Sequence, residues 1–540
     1  MREWIVGACI LLLAGGASLA QEHEHPSGEH LGVVHFSTSC NEAGQREFDR
    51  AMALLHSFQF SKAIQGFNAA LKNDPTCGIS YWGIALSQWS NPFATGMKDP
   101  SQLQAGRASV ERGKAADAKT DRERAYLAAV ALLYQDFEHT LQRTRLLAYR
   151  DAMSELSANY PSDDEAQIFY ALAIAASEDP ADKTYAGRLK AGTILESLFK
   201  SEPDHPGLAH YIIHTYDVPS LAPRALRAAR RYSEIAPDAP HALHMPSHTF
   251  TRTGYWQDSI NSNIAAAAAA KREGQTAEEL HASDYETYAY LQTAQDEAAR
   301  KIVNSLLEIG SRFDPKAVIS GAGTPSTGYF ALAAIPARYA LERGDWKQAA
   351  ELTPRDTPFP YTEATTWFAR GLGAARMGKV PTAYAAADAL KQIQERLQKA
   401  SENYWALQVE IQQLSVRAWA ALAEGKKEEA LRQMESAAVL EDGTEKSAVT
   451  PGPIAPAREL LGEMFLVANQ PAQALIQFEA TLGKEPGRFR ALYGAGRAAQ
   501  LNANVEKSRE YFRELLKVCR QSDKPERPQL VEAAKAVFGN

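Results

Sequence analysis

Small, aromatic and apolar residues recur along this chain at fixed positions of a unit of 34 residues. Few segments show the strict alternation of apolar and polar residues that a half-buried strand requires. A unit that starts at Ala455 places Gly462, Phe465, Ala474, Phe478 and Pro486 at positions 8, 11, 20, 24 and 32. A unit that starts at Gly44 places Ala51, Leu54, Ala63, Phe67 and Pro75 at the same positions. Small residues at positions 8 and 20 let two helices pack closely, so the pattern predicts helical hairpins.

Units of this kind cover most of residues 44–520 and predict an all-α fold. Others lie near residues 78–97, 121–160, 164–203, 206–239, 240–273, 280–313, 327–354, 362–398 and 403–440. The repeated positions resemble the consensus of the tetratricopeptide (TPR) repeat, a helix–turn–helix unit that stacks on copies of itself. The resemblance implies a helical-hairpin solenoid, or superhelix, of ten or more hairpins.

Two interruptions suggest subdomain boundaries. Residues 321–327 (GAGTPST) and residues 444–456 are rich in residues that break helices. A division at the first interruption gives an N-terminal solenoid of residues 44–313 and a C-terminal solenoid of residues 327–540.

Four histidines repeat at the interval of one unit. His210 and His214 stand in HYIIH, and His244 and His248 stand in HMPSH, 34 residues further along. Residues four apart lie on the same face of a helix, and the same places in consecutive units lie side by side. We therefore expect two histidine pairs to face each other across adjacent helices.

More polar residues fall on the same predicted surface. In TPR proteins, positions 2, 5, 9 and 12 of the first helix line the concave groove where ligands bind. Frames that start at Pro206, Pro240 and Leu280 add further residues to this wall. They are Asp217, His241, His281, Asp284 and Tyr288. The resemblance thus implies one His-rich wall across three successive inner helices.

Clustered imidazoles without cysteine suit a transition metal such as Zn, Cu, Fe or Ni. Asp217, Asp284 and Tyr288 are either further ligands or acceptors that fix the imidazole tautomers. The number of groups allows a dinuclear centre, or one metal with acid–base residues beside it. A closed structural zinc site normally uses cysteine, so the set favours an open, functional site. HYIIH lacks the glutamate of the zinc-protease helix HExxH.

Two alternatives need no metal. The wall is then a polar lining for a protein, peptide or anionic ligand, or a set of histidines hydrogen-bonded for structure. Whether the chain is an enzyme stays open, since no nucleophile elbow, phosphate loop or dinucleotide fingerprint stands out. The net charge is −7 and the pI about 6.1, so we expect no nucleic-acid partner.

The N-terminus predicts export. Arg2, an apolar run and the small residues before Gln21 are typical of a signal peptide over residues 1–20. A His-rich arm, residues 21–43, follows and contains His23, His25, His30 and His35. The wider region 206–292 resembles a group of bacterial secreted TPR proteins, which implies the fold and a periplasmic or secreted location but no catalytic role. No later stretch reaches the length of a membrane span.

The cysteines fit the same compartment. Cys9 leaves with the signal peptide, and Cys40 and Cys77 flank the first unit. In an oxidising compartment these two form either a disulfide or a pair of buried thiols. Cys519 has no evident partner and is expected in the core of the last repeats.

Overall fold

The computed structural model describes residues 28–94, 97–116 and 118–539, and the regular secondary structure in these ranges is helical. The predicted signal peptide lies outside the described residues. So do His23 and His25, which belong to the arm that follows it. The N-terminal hairpins contain α1 (Glu42–His56), α2 (Phe60–Asn73), α3 (Ser80–Trp89), α4 (Pro100–Ala115), α5 (Asp121–Leu132), α6 (Gln142–Asn159), α7 (Asp164–Ser177) and α8 (Ala186–Ser201).

The remaining helices continue the series. The central hairpins contain α9 (Pro206–Thr215), α10 (Leu226–Ile235), α11 (Pro240–His244), α12 (Pro246–Arg252), α13 (Trp256–Arg272), α14 (Thr276–Gln292) and α15 (Asp296–Arg312). The C-terminal hairpins contain α16 (Pro325–Glu342), α17 (Trp346–Glu351), α18 (Pro360–Arg376), α19 (Val380–Lys399), α20 (Asn403–Ala423), α21 (Lys427–Asp442), α22 (Ala457–Val467), α23 (Pro471–Lys484), α24 (Phe489–Leu501), α25 (Val505–Val518) and α26 (Pro528–Phe538).

Consecutive helices pack as hairpins joined by short turns, and each hairpin contacts the next. This is the all-α, TPR-type solenoid that the repeat pattern predicts. Helices begin where the predicted units at 121, 164, 206, 240 and 403 begin, or within one residue. The unit placed at Leu280 is an exception, because α14 already begins at Thr276 after a turn of residues 273–275. This helix therefore begins four residues before the predicted frame.

Pro246 divides the inner helix of the central repeat into α11 and α12. Proline has no N–H to donate to the carbonyl four residues back, so the regular helical hydrogen bonding is interrupted there. His244 ends α11 and His248 lies on α12. The HMPSH pair is thus carried by two short helices, whereas HYIIH lies on the continuous helix α9.

The core has an N-terminal and a C-terminal part. One apolar cluster runs from Leu31 to Phe250, and another from Phe330 to Ala499. The C-terminal repeats return to the central ones, where Trp256 Nε1 donates to the carbonyl of Gly487 at 3.1 Å. The segment 443–456 between α21 and α22 extends across the inner face of the central repeats. Among the described residues, no helix combines the length and hydropathy needed to cross a membrane.

Cys40 and Cys77 form a disulfide. The bond ties the segment before α1 to the turn before α3. Cys519 is a buried free thiol. The disulfide is the first of the two alternatives that the sequence leaves open.

Candidate metal centre

Six histidines from four helices meet inside the central repeats. They form two triads, in each of which one ligand atom per residue lies within 4.8 Å of the others. The first triad is His210, His214 and His241. The second triad is His244, His248 and His281. All six side chains are buried, with relative exposures of 0–7%.

The repeat geometry brings each triad together. His210 and His214 lie one turn apart on α9, with ring centroids 4.9 Å apart. His241, on the neighbouring inner helix α11, lies 4.9 Å from His210. In the second triad, His281 of α14 lies 4.4 Å from His244. Each triad therefore combines an i,i+4 pair from one unit with a single histidine from the next unit.

In the first triad the Nε2 atoms are left without partners. The Nε2 atoms of His210, His214 and His241 are buried and make no hydrogen bond with the described residues. Nδ1–H of His210 donates to the carbonyl oxygen of His56 at 2.6 Å. Because a carbonyl can only accept, the Nε2 of neutral His210 carries a lone pair.

A carboxylate fixes the next imidazole. His241 Nδ1 lies 2.7 Å from Glu278 Oε1, so Nδ1–H donates there and Nε2 is again the free acceptor. Phe93 stacks on the ring of His214 at 4.1 Å and holds it in place. Outer acceptors that set tautomer and ring orientation are the usual surroundings of metal-bound histidine.

The second triad contains a close pair of ring nitrogens. His244 Nε2 and His248 Nε2 are 3.0 Å apart. Nδ1–H of His244 donates to Asn263 Oδ1 at 2.7 Å. The amide of Asn263 is itself oriented, because its Nδ2 donates to the carbonyl of Ser259 at 2.7 Å. Nδ1 of His248 lies 3.0 Å from Asp217 Oδ2.

These outer contacts place both ring protons of the pair on Nδ1. Two neutral imidazoles then face each other with lone pairs on Nε2, and neither has a proton to share. Either a proton on one of the two Nε2 atoms or a bound metal ion removes this conflict. Two nitrogen ligands at 2.1 Å from one metal ion lie roughly 3.0 Å apart when perpendicular and about 3.4 Å apart in a tetrahedron. The observed 3.0 Å separation falls at this lower bound.

Burial keeps the histidines neutral. It lowers the pKa of His210, His214, His241, His244 and His281 well below 6.5, and mutual repulsion of the imidazolium forms lowers it further. The pKa of His248 is also lowered by burial, although the Asp217 carboxylate opposes the shift. At neutral pH all six rings therefore offer lone pairs.

The three other predicted residues have different surroundings. Asp217 contacts His248 and also receives Arg252 Nε at 3.0 Å and Lys446 Nζ at 2.9 Å. Burial disfavours its charge, but Lys446 and Arg252 outweigh burial and hold the pKa of Asp217 well below 3.8. It is thus an acceptor behind His248, one of the two roles that the sequence allows.

Asp284 and Tyr288 do not join the histidines. Asp284 Oδ1 pairs with the fully buried Arg338 at 2.9 Å. The Tyr288 hydroxyl donates to Glu485 and receives Arg488 at 3.0 Å. Both residues therefore connect α14 to the C-terminal repeats. Among the described residues, no hydrogen bond or ion pair joins either residue to a histidine of the triads.

The wall is not the open groove expected from the resemblance. Phe58, which follows α1, packs on His210, His214 and His241. The segment 443–456 covers the second triad, where Tyr285 Oη lies within 3.2 Å of the carbonyls of residues 448 and 450. A small cavity of about 30 Å³ remains against both triads. Its histidine lining is His214, His241, His248 and His281.

A third cluster, formed by His56, Glu165 and His205, was not predicted from the sequence. His56 Nε2 and His205 Nε2 lie 3.0 Å and 3.1 Å from Glu165. Nδ1 of His205 accepts the N–H of Leu208 at 3.3 Å, so its proton is on Nε2 and points at the carboxylate. Two imidazoles hold the pKa of buried Glu165 far below 4.5. One ligand atom of each residue lies within 4.8 Å of the others, as in the two triads. Unlike the free Nε2 atoms of the first triad, these atoms are paired by hydrogen bonds, which favours a structural role in support of helix α9.

The structure defines the class of this protein as a TPR-type helical solenoid with a buried histidine centre. No family model matches the chain, and curated proteins give no significant match either. Among solved structures, it is similar to the APC/C hetero-tetramer Cut9–Hcn1, with 13% identity, a TM-score of 0.37, and coverage of 91% of this chain and 90% of that chain. It is also similar to the human IFIT1 dimer with m7Gppp-AAAA, with 10% identity, a TM-score of 0.37, and coverage of 89% and 96%.

A monomeric IFIT1 mutant with Gppp-AAAA gives a comparable result. Its identity is 10%, its TM-score 0.36, and the coverage 89% of this chain and 98% of that chain. Likeness at this level says nothing about what this chain binds. The architecture stated above rests on the arrangement of the helices themselves.

Proposed function

We propose that this protein is an exported TPR solenoid that binds two transition-metal ions, one at each histidine triad. The observation that carries the proposal is the 3.0 Å approach of His244 Nε2 and His248 Nε2. Their outer acceptors, Asn263 and Asp217, leave both nitrogens as lone-pair donors. A buried metal ion is a partner that suits such a pair, because outer acceptors of this kind are typical of metal-bound histidine.

Two ions are favoured over one because each triad has its own outer contacts. The His56 carbonyl and Glu278 orient the first triad. Asn263 and Asp217 orient the second. Rings of different triads also approach closely, with centroids of His214 and His248 5.8 Å apart. The two ions would therefore be neighbours that share one cavity.

Three nitrogen ligands leave a divalent ion with an open position, as in catalytic rather than structural sites. A bound transition-metal ion would supply Lewis acidity to a small ligand in that position. The cavity of about 30 Å³ limits this ligand to roughly two or three molecules of the size of water. We propose metal-assisted chemistry on a small ligand, or metal handling, and Zn, Cu, Fe or Ni all suit nitrogen donors.

Periplasmic or secreted location is part of the proposal. The leader pattern of residues 1–20 supports it. The Cys40–Cys77 disulfide supports it as well, because disulfides persist in oxidising compartments. A protein-binding scaffold without metal is the second candidate, and the repeat fold favours it in general. At the histidine wall it is less well supported, because the side chains that would line a groove are buried.

The test is the metal content of the mature protein purified without a histidine tag. We expect close to two ions per chain in the wild type after loading with each candidate metal in turn. His210→Ala and His244→Ala should each keep about one ion, and the double variant should keep none. His139→Ala is the matched control, because His139 is exposed and lies outside both triads. Circular dichroism verifies that each variant stays helical.

The outcomes separate the candidates. Loss of one ion per single variant supports two triad sites. A wild type that takes up none of the four metals overturns the proposal and leaves histidines that share protons or line a ligand site. Uptake that survives in the double variant also overturns it, since the ions would then bind elsewhere.

A further inference from the structure

A larger cavity lies on the opposite side of the segment 443–456 from the histidines. Its volume is about 100 Å³, and it lies between the inner faces of α18 and α20 and that segment. Lys446 and Thr450 line this cavity, whereas Ala448 and Val449 line the cavity beside the triads. The two spaces are therefore separated by a single layer of chain, and the proposed metal centre makes no use of the larger one.

One side of this cavity is aromatic. Tyr361 and Trp405 stack in parallel, with ring centroids 3.9 Å apart and an angle of 1° between the planes. Tyr404 meets Trp405 edge to face at 5.0 Å, and Phe330 packs at 6.1 Å. All four side chains line the cavity. Such faces carry negative electrostatic potential and attract organic cations.

The four basic side chains of the lining are each held by a carboxylate. They are Arg252, Lys446, Arg458 and Lys484. Arg252 and Lys446 both pair with Asp217. Arg458 and Lys484 both pair with Asp442 at 2.6 Å. Two carboxylates thus hold four cations, and Glu441, Glu445 and Glu485 add three acidic side chains to the lining.

One acidic side chain of the lining is different. Glu445 pairs with Lys183 at 2.7 Å, and Glu485 lies 3.8 Å from Arg488. Glu441 forms no ion pair with the described residues. Its carboxylate accepts a hydrogen bond from the backbone N–H of Ala457, with 2.8 Å between N and Oε2. Burial raises the pKa of Glu441 to about 7, although the N–H of Ala457 and the charge of Lys484 oppose the shift.

A second acceptor in the same lining is also unused. Gln412 Oε1 is buried and receives no hydrogen bond from the described residues. Gln412 and Trp405 are two turns apart on α20, so both can face one ligand. An unpaired carboxylate, a free amide oxygen and an aromatic wall together complement a group that is cationic, donates hydrogen bonds and carries hydrocarbon.

We propose that this cavity binds a small organic ammonium ion, with its positive charge at Glu441 and its hydrocarbon part against Tyr361 and Trp405. A volume of about 100 Å³ corresponds to roughly seven to ten water-sized spaces, which sets the scale of the ligand. No histidine of either triad lines this cavity, although its lining residues Arg252 and Lys446 pair with Asp217 behind His248.

The test is calorimetric titration of the full mature protein with n-butylammonium, beside the neutral analogue n-butanol. We expect the ammonium ion to bind at least tenfold more tightly than the alcohol, both in metal-loaded and in metal-free protein. Glu441→Gln should reduce ammonium affinity at least tenfold. Its amide oxygen can still accept the N–H of Ala457, so the helix start is preserved.

Two further variants keep the test decisive. Trp405→Leu should weaken ammonium binding several-fold while leaving the preference over alcohol in place. Glu435→Gln is the matched control, an exposed carboxylate on the same helix α21, and should bind as the wild type does. Equal binding of ammonium and alcohol, or an ammonium affinity unchanged by Glu441→Gln, would overturn the proposal whatever the metal content.

Discussion

Replacement of Glu278 separates the two proposed metal sites. Its Oε1 accepts Nδ1–H of His241 at 2.7 Å, and both side chains are buried. In Glu278→Leu the buried Nδ1–H loses its acceptor, so the ring no longer gains by keeping its proton there. The tautomer with the proton on Nε2 then competes, and in that tautomer His241 has no lone pair for the first triad.

The size of the effect follows from the single contact that is lost. Removal of an outer hydrogen bond to a metal-binding histidine typically lowers metal affinity 10–100-fold. This corresponds to about 1.4–2.7 kcal/mol of binding free energy. The second triad is oriented by Asn263 and Asp217, so its affinity should stay unchanged. Glu278→Gln keeps an oxygen acceptor and should lose less than tenfold.

The assay is a titration of metal-free protein against a competing chelator. The wild type should show two equivalents of tight binding, and Glu278→Leu should show one tight and one weakened equivalent. Glu286→Gln is the control, because Glu286 is also a buried carboxylate on helix α14. Burial raises its pKa to about 7, and its hydrogen-bond partner is Tyr290. Two unchanged equivalents in Glu278→Leu, or the same weakening in the control, would refute this reasoning.

Three further predictions concern stability. The buried histidines have pKa values below the 6.5 of the unfolded chain, so the unfolded state binds more protons below pH 6.5. The urea midpoint of metal-free protein should therefore fall as the pH is lowered from 7 to 5. An unchanged midpoint would contradict the burial of neutral imidazole rings. Cys40→Ser/Cys77→Ser should cost about 4 kcal/mol for a loop with a sequence separation of 37, and equal unfolding of wild type and variant under oxidising conditions would exclude the bond. Arg338→Met should destabilise the fold by about 3–5 kcal/mol because Asp284 loses its buried partner. Backbone amides of residues 443–456 should also exchange hydrogen faster in this variant, because Arg338 binds Thr450 Oγ1 and two carbonyl oxygens of that segment.

The repeat interval was sufficient to predict the fold and the meeting of the histidines. Stacked units place equivalent positions side by side, so the 34-residue spacing of HYIIH and HMPSH correctly indicated adjacent inner helices. The same logic brought His241 and His281 into the triads, even though the frame for His281 was four residues late. A four-residue error is about one helical turn, so the predicted face stayed the same.

Periodicity could not predict what covers the site. The segment 443–456 is far from the histidines in sequence and reaches them only because the C-terminal repeats return to the central ones. For the same reason Asp284 and Tyr288 pair with Arg338 and Arg488, which lie in later repeats. Long-range ion pairs of this kind leave no local pattern in a single sequence. The acceptors Asn263 and Glu278 were missed because polar residues on helices are common and carry no motif.

The most direct test of the central claim is the anomalous scattering of crystals of the metal-loaded protein, recorded at the absorption edge of the bound metal. The account predicts two peaks, one among His210, His214 and His241 and one among His244, His248 and His281. Each peak should lie about 2.0–2.2 Å from ring nitrogens. Absence of both peaks in protein that carries the metal, or peaks at exposed histidines such as His30 and His35, would contradict it.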